Sequence, residues 1–169
     1  EAMTSTYYFR WRTYKRHINP VNRTDDINWV VTEFKPNVSW SDKYNTINCA
    51  AGHHMMEGRW LRNHNIVRSY SKWWVADDSS HRYYYWYAYA LKHVLAVTGN
   101  ITLVSSVLPK YMEQYSLYEQ GQLPPRNAAF NDQLDCLWNE PVNEGQENSL
   151  SGPGCRTLVQ ALMYGETAA

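Results

Sequence analysis

Phenylalanine and cysteine are both scarce in this chain, at 3 residues each, against 14 tyrosines and 8 tryptophans. Cys49, Cys136 and Cys155 are too few and too widely spaced for a disulfide framework or a zinc site. Buried thiols are the expected state, with a Cys136 to Cys155 bridge as the alternative. An excess of charge of either sign is also missing, because 16 basic and 16 acidic residues cancel. Without a basic footprint, nucleic acid is not an expected partner. No apolar run approaches the ~20 residues of a membrane span, so no membrane partner is expected. The chain opens at Glu1 with neither an initiator Met nor a signal peptide, so targeting has been removed or lies outside it. Sequons at Asn22, Asn37 and Asn100 are about as many as chance supplies and say little. Location stays open, leaning to an extracytoplasmic one.

Aromatic content stands out, at 15% of 169 residues. Tyr and Trp are favoured where a ring needs one apolar face and one hydrogen-bonding edge. A sugar cleft fits that description, and so does a core of Tyr-rich helices. The length suits one domain, long enough to bury roughly two thirds of its unfolded surface.

Local signals sketch about six helices. Thr4 or Ser5 is placed to cap a first helix to about His17, which Asn19-Pro20 ends because the residue before proline avoids the helical region. Trp29 to Phe34 is β-branched and aromatic, a short strand closed by Lys35-Pro36-Asn37. Thr46 to Leu61 is helical, with Ile47, Ala50, Ala51, His54 and Glu57 on one face. A buried His or Glu there must be hydrogen-bonded or face a wet cleft. His53, His54 and Glu57 lack a second ligand element, so no metal is expected. Asn65 to Val75 follows, apolar along Ile66, Val67, Tyr70, Trp73 and Trp74. Ser80 is placed to cap a helix from His81 to Thr98 that stops at Gly99-Asn100. Ile101 to Glu119 comes next, with Pro109 as a kink or a second start. A surface loop at 120–133 and a short extended piece from Leu134 to Trp138 lead to a last helix that begins at Thr157.

Between those last two elements lie Glu144 and Glu147, in a glycine-punctuated segment that follows Trp138 and precedes the Ser-Gly-Pro-Gly turn at 151–154. A glycosidic oxygen leaves poorly until protonated, so its hydrolysis needs a carboxylic acid that keeps its proton near neutrality. A free Glu titrates near ~4.3. Desolvation beside a like charge raises that value, and Trp138 with Glu144 could supply both effects to Glu147. On spacing alone the commoner reading is a pair of solvated loop acids.

The string Asn143-Glu144-Gly145-Gln146-Glu147-Asn148-Ser149, followed by Gly152-Pro153-Gly154-Cys155-Arg156, resembles the acid-bearing loop of the six-hairpin, or (α/α)6-toroid, glycosidases. The likeness is to their mannosylglycerate-hydrolase-like branch, related to the trehalase-like enzymes. Tyr7-Tyr8-Phe9-Arg10-Trp11-Arg12, Trp40, Tyr44 through His54, and Glu57-Gly58-Arg59-Trp60-Leu61-Arg62 resemble the same family. The matching motifs therefore span nearly all of residues 1–169.

The resemblance implies a mainly α fold, with helical hairpins forming about half of an (α/α)6 toroid and one or two short strands. Residues 1–169 would be the amino-terminal half, cut within a helix, and the rest of the ring would come from the same parent chain. It implies a carbohydrate substrate, no cofactor, and inverting hydrolysis with Glu147 as general acid. Glu144 would modulate that acid or touch substrate. Trp40, His53, His54, Glu57, Arg59, Trp60 and Arg156 would form the sugar-binding wall. Departures are Glu144 where the family has Asp, Gln146 for Met, Thr157 for Pro and Gln160 for Asn. Such drift is what a non-catalytic carbohydrate-binding toroid would show.

Overall fold

The computed structural model describes residues 1–23, 25–39, 41–76, 83–120, 129–131, 136–139, 154–155 and 157–169. Among these the fold is mainly α, as the sequence implies, with six helices and five short strands. Helix α1 (Ala2–Arg16) has no side-chain cap. The Ser5 amide already donates to Glu1 O at 3.0 Å, which places Thr4 and Ser5 inside the helix instead of ahead of it. Lys15 and Arg16 in its last turn suit the negative end of the helix dipole. Asn19-Pro20, read as a simple stop, belongs to β1 (Ile18–Pro20). This strand pairs antiparallel with β2 (Trp29–Val31), Ile18 opposite Val31.

The helix expected from Thr46 starts later. Asp42 Oδ1 accepts from the Thr46 amide at 3.0 Å, and Asn48 Oδ1 accepts from the Tyr83 amide at 3.1 Å. The first of these is a local side-chain bond that competes with helix initiation and the second ties Asn48 to a distant segment, and a 3-10 turn at Asn48–Ala50 precedes α2 (Ala51–Gly58). α3 (His64–Trp73) is capped by Asn63, whose side chain accepts from the Asn65 amide at 3.1 Å. α4 (Tyr87–Thr98) begins after Trp86, later than the expected His81. Ser80 lies outside the described residues. Gly99, at φ +65°, closes α4 in the left-handed conformation that disfavours other residues. Asn100 then caps α5 (Ile101–Glu119) by accepting from the Leu103 amide at 3.0 Å. Pro109 stands within α5 without dividing it.

β3 (Ala129–Asn131), β4 (Cys136–Asn139) and β5 (Gly154–Cys155) form an antiparallel sheet in the order β3-β4-β5, and α6 (Thr157–Thr167) follows. Ladders this short leave almost no alternation to read, so the sequence pattern implies one or two strands where five occur among the described residues. The cysteine expectation is also corrected. Cys155 is disulfide-bonded, and Cys49 is an exposed thiol rather than a buried one.

α2 packs against α3 and α4, α4 against α5 and α6, and α3 against β2. Val67, Tyr70 and Trp73 of α3, with Trp74 at its C-cap, meet Tyr87 and Val94 of α4, Val107 of α5 and Val159 of α6 in one buried cluster. Much of the aromatic content is therefore core. The rings keep polar edges there: Tyr87 Oη donates to Ser71 O at 2.9 Å and Trp73 Nε1 to Thr46 Oγ1 at 3.0 Å. Two glycines of α2 are apertures for such rings. A Cβ at Gly52 would lie 2.5 Å from Trp86 Cδ2, and one at Gly58 would collide with Tyr14 Oη.

Candidate functional site

Thr32 and Glu33 continue the chain beyond β2, and both are pinned by backbone bonds. The Thr32 amide donates to His17 O at 2.8 Å and the Glu33 amide to Asn45 O at 3.1 Å. Val31 and Glu33, two residues apart in extended chain, share a face, and both line a cleft of about 320 Å³. Opposite them α1 supplies Arg10 and Tyr14, and α2 supplies His54 and Glu57. Tyr14 Oη donates to His54 O at 2.9 Å through the aperture beside Gly58, tying the two helices together.

Charge in the cleft is largely compensated. Arg10 donates to Glu57 Oε1 through Nε at 2.9 Å and through Nη2. His54 Nδ1 lies 3.0 Å from Tyr70 Oη. Burial foremost, with His17 and His53 nearby, lowers the His54 pKa to about 4, so the ring is neutral. His17 Nδ1 lies 2.8 Å from Thr32 O. A carbonyl only accepts, so that nitrogen carries the proton. Glu33 has no such compensation: its Oε2 is buried without a hydrogen-bond partner, and burial raises its pKa.

Of the residues named from the sequence, His54 and Glu57 meet in this cleft. His53, one residue earlier on the helix, is exposed, with its ring perpendicular to Trp86 at 4.8 Å. Successive helical residues point about 100° apart, so the two histidines do not act on one point. Arg59 lies 5.0 Å over the Trp60 ring, and its Nη1 is 2.7 Å from Met56 Sδ. Trp60 is 60% exposed and lines a larger groove of about 650 Å³ with Tyr7, Tyr8, Trp11 and Trp29. A smaller pocket of about 220 Å³ joins Trp60 to Glu57 through Trp11 and Met56. Trp40, Glu144, Glu147 and Arg156 lie outside the described residues. The ends of the segment that carries the two acids are described: Asn139 of β4 is opposite Gly154 of β5, and Trp138 opposite Cys155.

Among the described residues no three of His, Cys, Asp and Glu are grouped to hold a metal ion, and no helix is long and apolar enough to cross a membrane. Two residues escaped sequence reasoning. Glu33 ends a β-branched and aromatic run that reads as strand, and nothing local marks its burial. Glu166, near the end of α6, is 6% exposed and accepts from the Ala88 and Tyr89 amides at 2.5 and 3.1 Å and from Tyr111 Oη. Its only sequence signal is an acid beside Gly165 in a helix that is otherwise apolar on its inner face.

Comparison with curated proteins returned no match. A solved structure described as a sialidase superposes with a TM-score of 0.79 at 26% sequence identity, over 98% of this chain and 15% of that one. The chain thus spans a small part of that protein. The mannosylglycerate hydrolase MGH1-like glycoside hydrolase domain matches residues 43–161. That match takes in α2 through the first turn of α6, including the segment between β4 and β5, and on it the chain belongs to the MGH1-like glycoside hydrolase domain family.

Proposed function

We propose that the chain is part of a glycoside hydrolase that cleaves a glycosidic bond with inversion, and that Glu147 is its general acid. The observation that carries this reading is the family match across residues 43–161, which covers both α2 and the acid-bearing segment. In the proposed step Glu147 gives its proton to the departing glycosidic oxygen as the C–O bond breaks. Water attacks the anomeric carbon from the opposite face and loses a proton to a second carboxylate. That second carboxylate would come from the rest of the toroid, so residues 1–169 alone are expected to be inactive. Glu144 would hold up the Glu147 pKa by like-charge repulsion or bind a hydroxyl.

Trp40, His53, His54, Glu57, Arg59, Trp60 and Arg156 are proposed as the sugar-binding wall, with residues 1–169 as the amino-terminal half of the ring. The shared cleft of His54 and Glu57 supports the wall. Glu147→Gln in the complete protein should abolish turnover of 4-nitrophenyl glycosides and leave sugar binding intact. Near-normal turnover would remove Glu147 from the mechanism.

A second reading, a non-catalytic carbohydrate-binding toroid, is favoured by Gln160. It replaces the Asn that the family pattern carries, and its buried Nε2 has no hydrogen-bond partner. Binding without turnover in the unsubstituted protein would select that reading.

A further inference from the structure

We propose that the cleft between α1, the β2 extension and α2 is a subsite for a neutral pyranoside, with Glu33 as the residue that recognises one of its hydroxyl groups. Glu33 Oε2 is buried and lacks a hydrogen-bond partner, yet the side chain lines an open cleft. An unsatisfied buried acceptor destabilises a fold. An apolar residue at that position would remove the penalty. Groups that break local rules in this way concentrate at binding sites, where the ligand supplies the missing partner.

The chemistry of the walls selects the partner. A divalent cation would need several anionic ligands, but Glu57 is engaged by Arg10, and no three ligand-type residues are grouped among those described. His54 does not supply positive charge for an anion. Its ring is neutral, and the Nδ1 proton of His17 is directed away from any ligand, to Thr32 O. An incompletely satisfied carboxyl group facing a neutral His54 suits a hydroxyl, which donates to the Glu33 carboxyl group and still accepts from another group. Phe9 adds an apolar wall, and the volume of about 320 Å³ suits a single ring, at the low end of the ~300–1,000 Å³ of small-ligand pockets.

This subsite rests on the carbohydrate reading but not on Glu147 as an acid. Isothermal titration of the complete protein with methyl α-mannopyranoside, methyl α-glucopyranoside and methyl β-galactopyranoside is the first measurement. Glu33→Leu should weaken the best of these about 10-fold or more, the usual loss for a hydrogen bond to a charged group. Its Tm should hold or rise, because the orphan acceptor is gone. Deoxy analogues of that glycoside complete a double-mutant cycle. One of them should bind the unsubstituted protein as weakly as the parent sugar binds Glu33→Leu, and should lose nothing further in the variant.

Unchanged affinity in Glu33→Leu, a parallel fall in affinity and Tm, or binding of none of the three glycosides by the unsubstituted protein would each overturn the proposal. Turnover of 4-nitrophenyl glycosides is read separately. Glu33-dependent binding without turnover leaves the subsite standing and removes the hydrolase, whereas turnover with Glu33-independent binding does the reverse.

Discussion

His54 shows how one residue sets a pH limit on the fold. Its pKa is lowered to about 4 in the folded chain, against about 6.5 when unfolded. The unfolded chain therefore takes up the proton first. The His54 contribution to stability is intact above about pH 6.5 and is lost progressively as pH falls towards 4. Allowing for its solvent-facing edge, the loss is on the order of 2–3 kcal/mol. Glu33 works in the opposite sense, since its raised pKa means that protonation relieves a buried charge as pH falls. Comparison with His54→Gln, which keeps an amide to meet Tyr70, isolates the histidine. Urea unfolding at neutral pH and near pH 4.5 should show a larger drop for the unsubstituted protein, by about 2 kcal/mol. Equal drops would contradict the assignment. Gly52 makes a separate residue-scale prediction. A Cβ there meets three ring atoms of Trp86 within 2.8 Å, and an indole held against α2 has little room to retreat. Gly52→Ala should cost about 1–3 kcal/mol and lower Tm by roughly 3–10 °C in a calorimetric scan.

At the scale of elements, the helices meet through polar contacts that connect distant parts of the chain. Glu166 of α6 accepts from the first amides of α4 and from Tyr111 of α5, so one carboxylate joins three helices and supplies the cap that α4 lacks locally. Burial raises its pKa despite those bonds. Glu166→Ala would strand two amides and a buried phenol, a loss of about 2–4 kcal/mol. Hydrogen exchange at Ala88 and Tyr89 should accelerate beyond that of Val94, deeper in α4. Uniform acceleration would mean that the variant simply loosens everything. The same contact explains what sequence reading could and could not reach. The stop at Gly99 and the cap at Asn100 were legible because their geometry is complete within a few residues. The start of α4 was not, because its cap arrives from 78 residues away. Likewise the motif around His53, His54 and Glu57 was visible as a string, and the helix it forms follows from its spacing. That one ring meets Trp86 and the other Tyr70 was not legible, because both partners come from distant parts of the chain. Glu33 was hidden for the same reason, since only the cleft that α1 and α2 complete around it makes its carboxyl unusual.

Taken whole, the molecule leaves apolar surface without a partner among the described residues. Ile101, Leu108 and Met112 are 61%, 38% and 61% exposed, and steps of seven and four residues put them on one face of α5. α1 exposes Met3, Tyr7, Tyr8 and Phe9. Hairpins in a ring bury such faces against their neighbours, and the solved structure that superposes on this chain holds the same fold within 15% of a longer chain. In the proposed half-ring, further hairpins of a longer chain would cover the α5 face. Residues 1–169 on their own should then self-associate at about 100 µM, and the pair Leu108→Glu and Met112→Lys should reduce that association with the helical circular dichroism unchanged. In a longer parent chain the same pair should act in the opposite direction, placing charge in a packed interface and lowering stability by about 2 kcal/mol or more. Sedimentation velocity separates the cases. If residues 1–169 run as a monomer and melt cooperatively without aggregating, and the double substitution is neutral in both contexts, the α5 face is an ordinary solvated surface and the ring does not close over it.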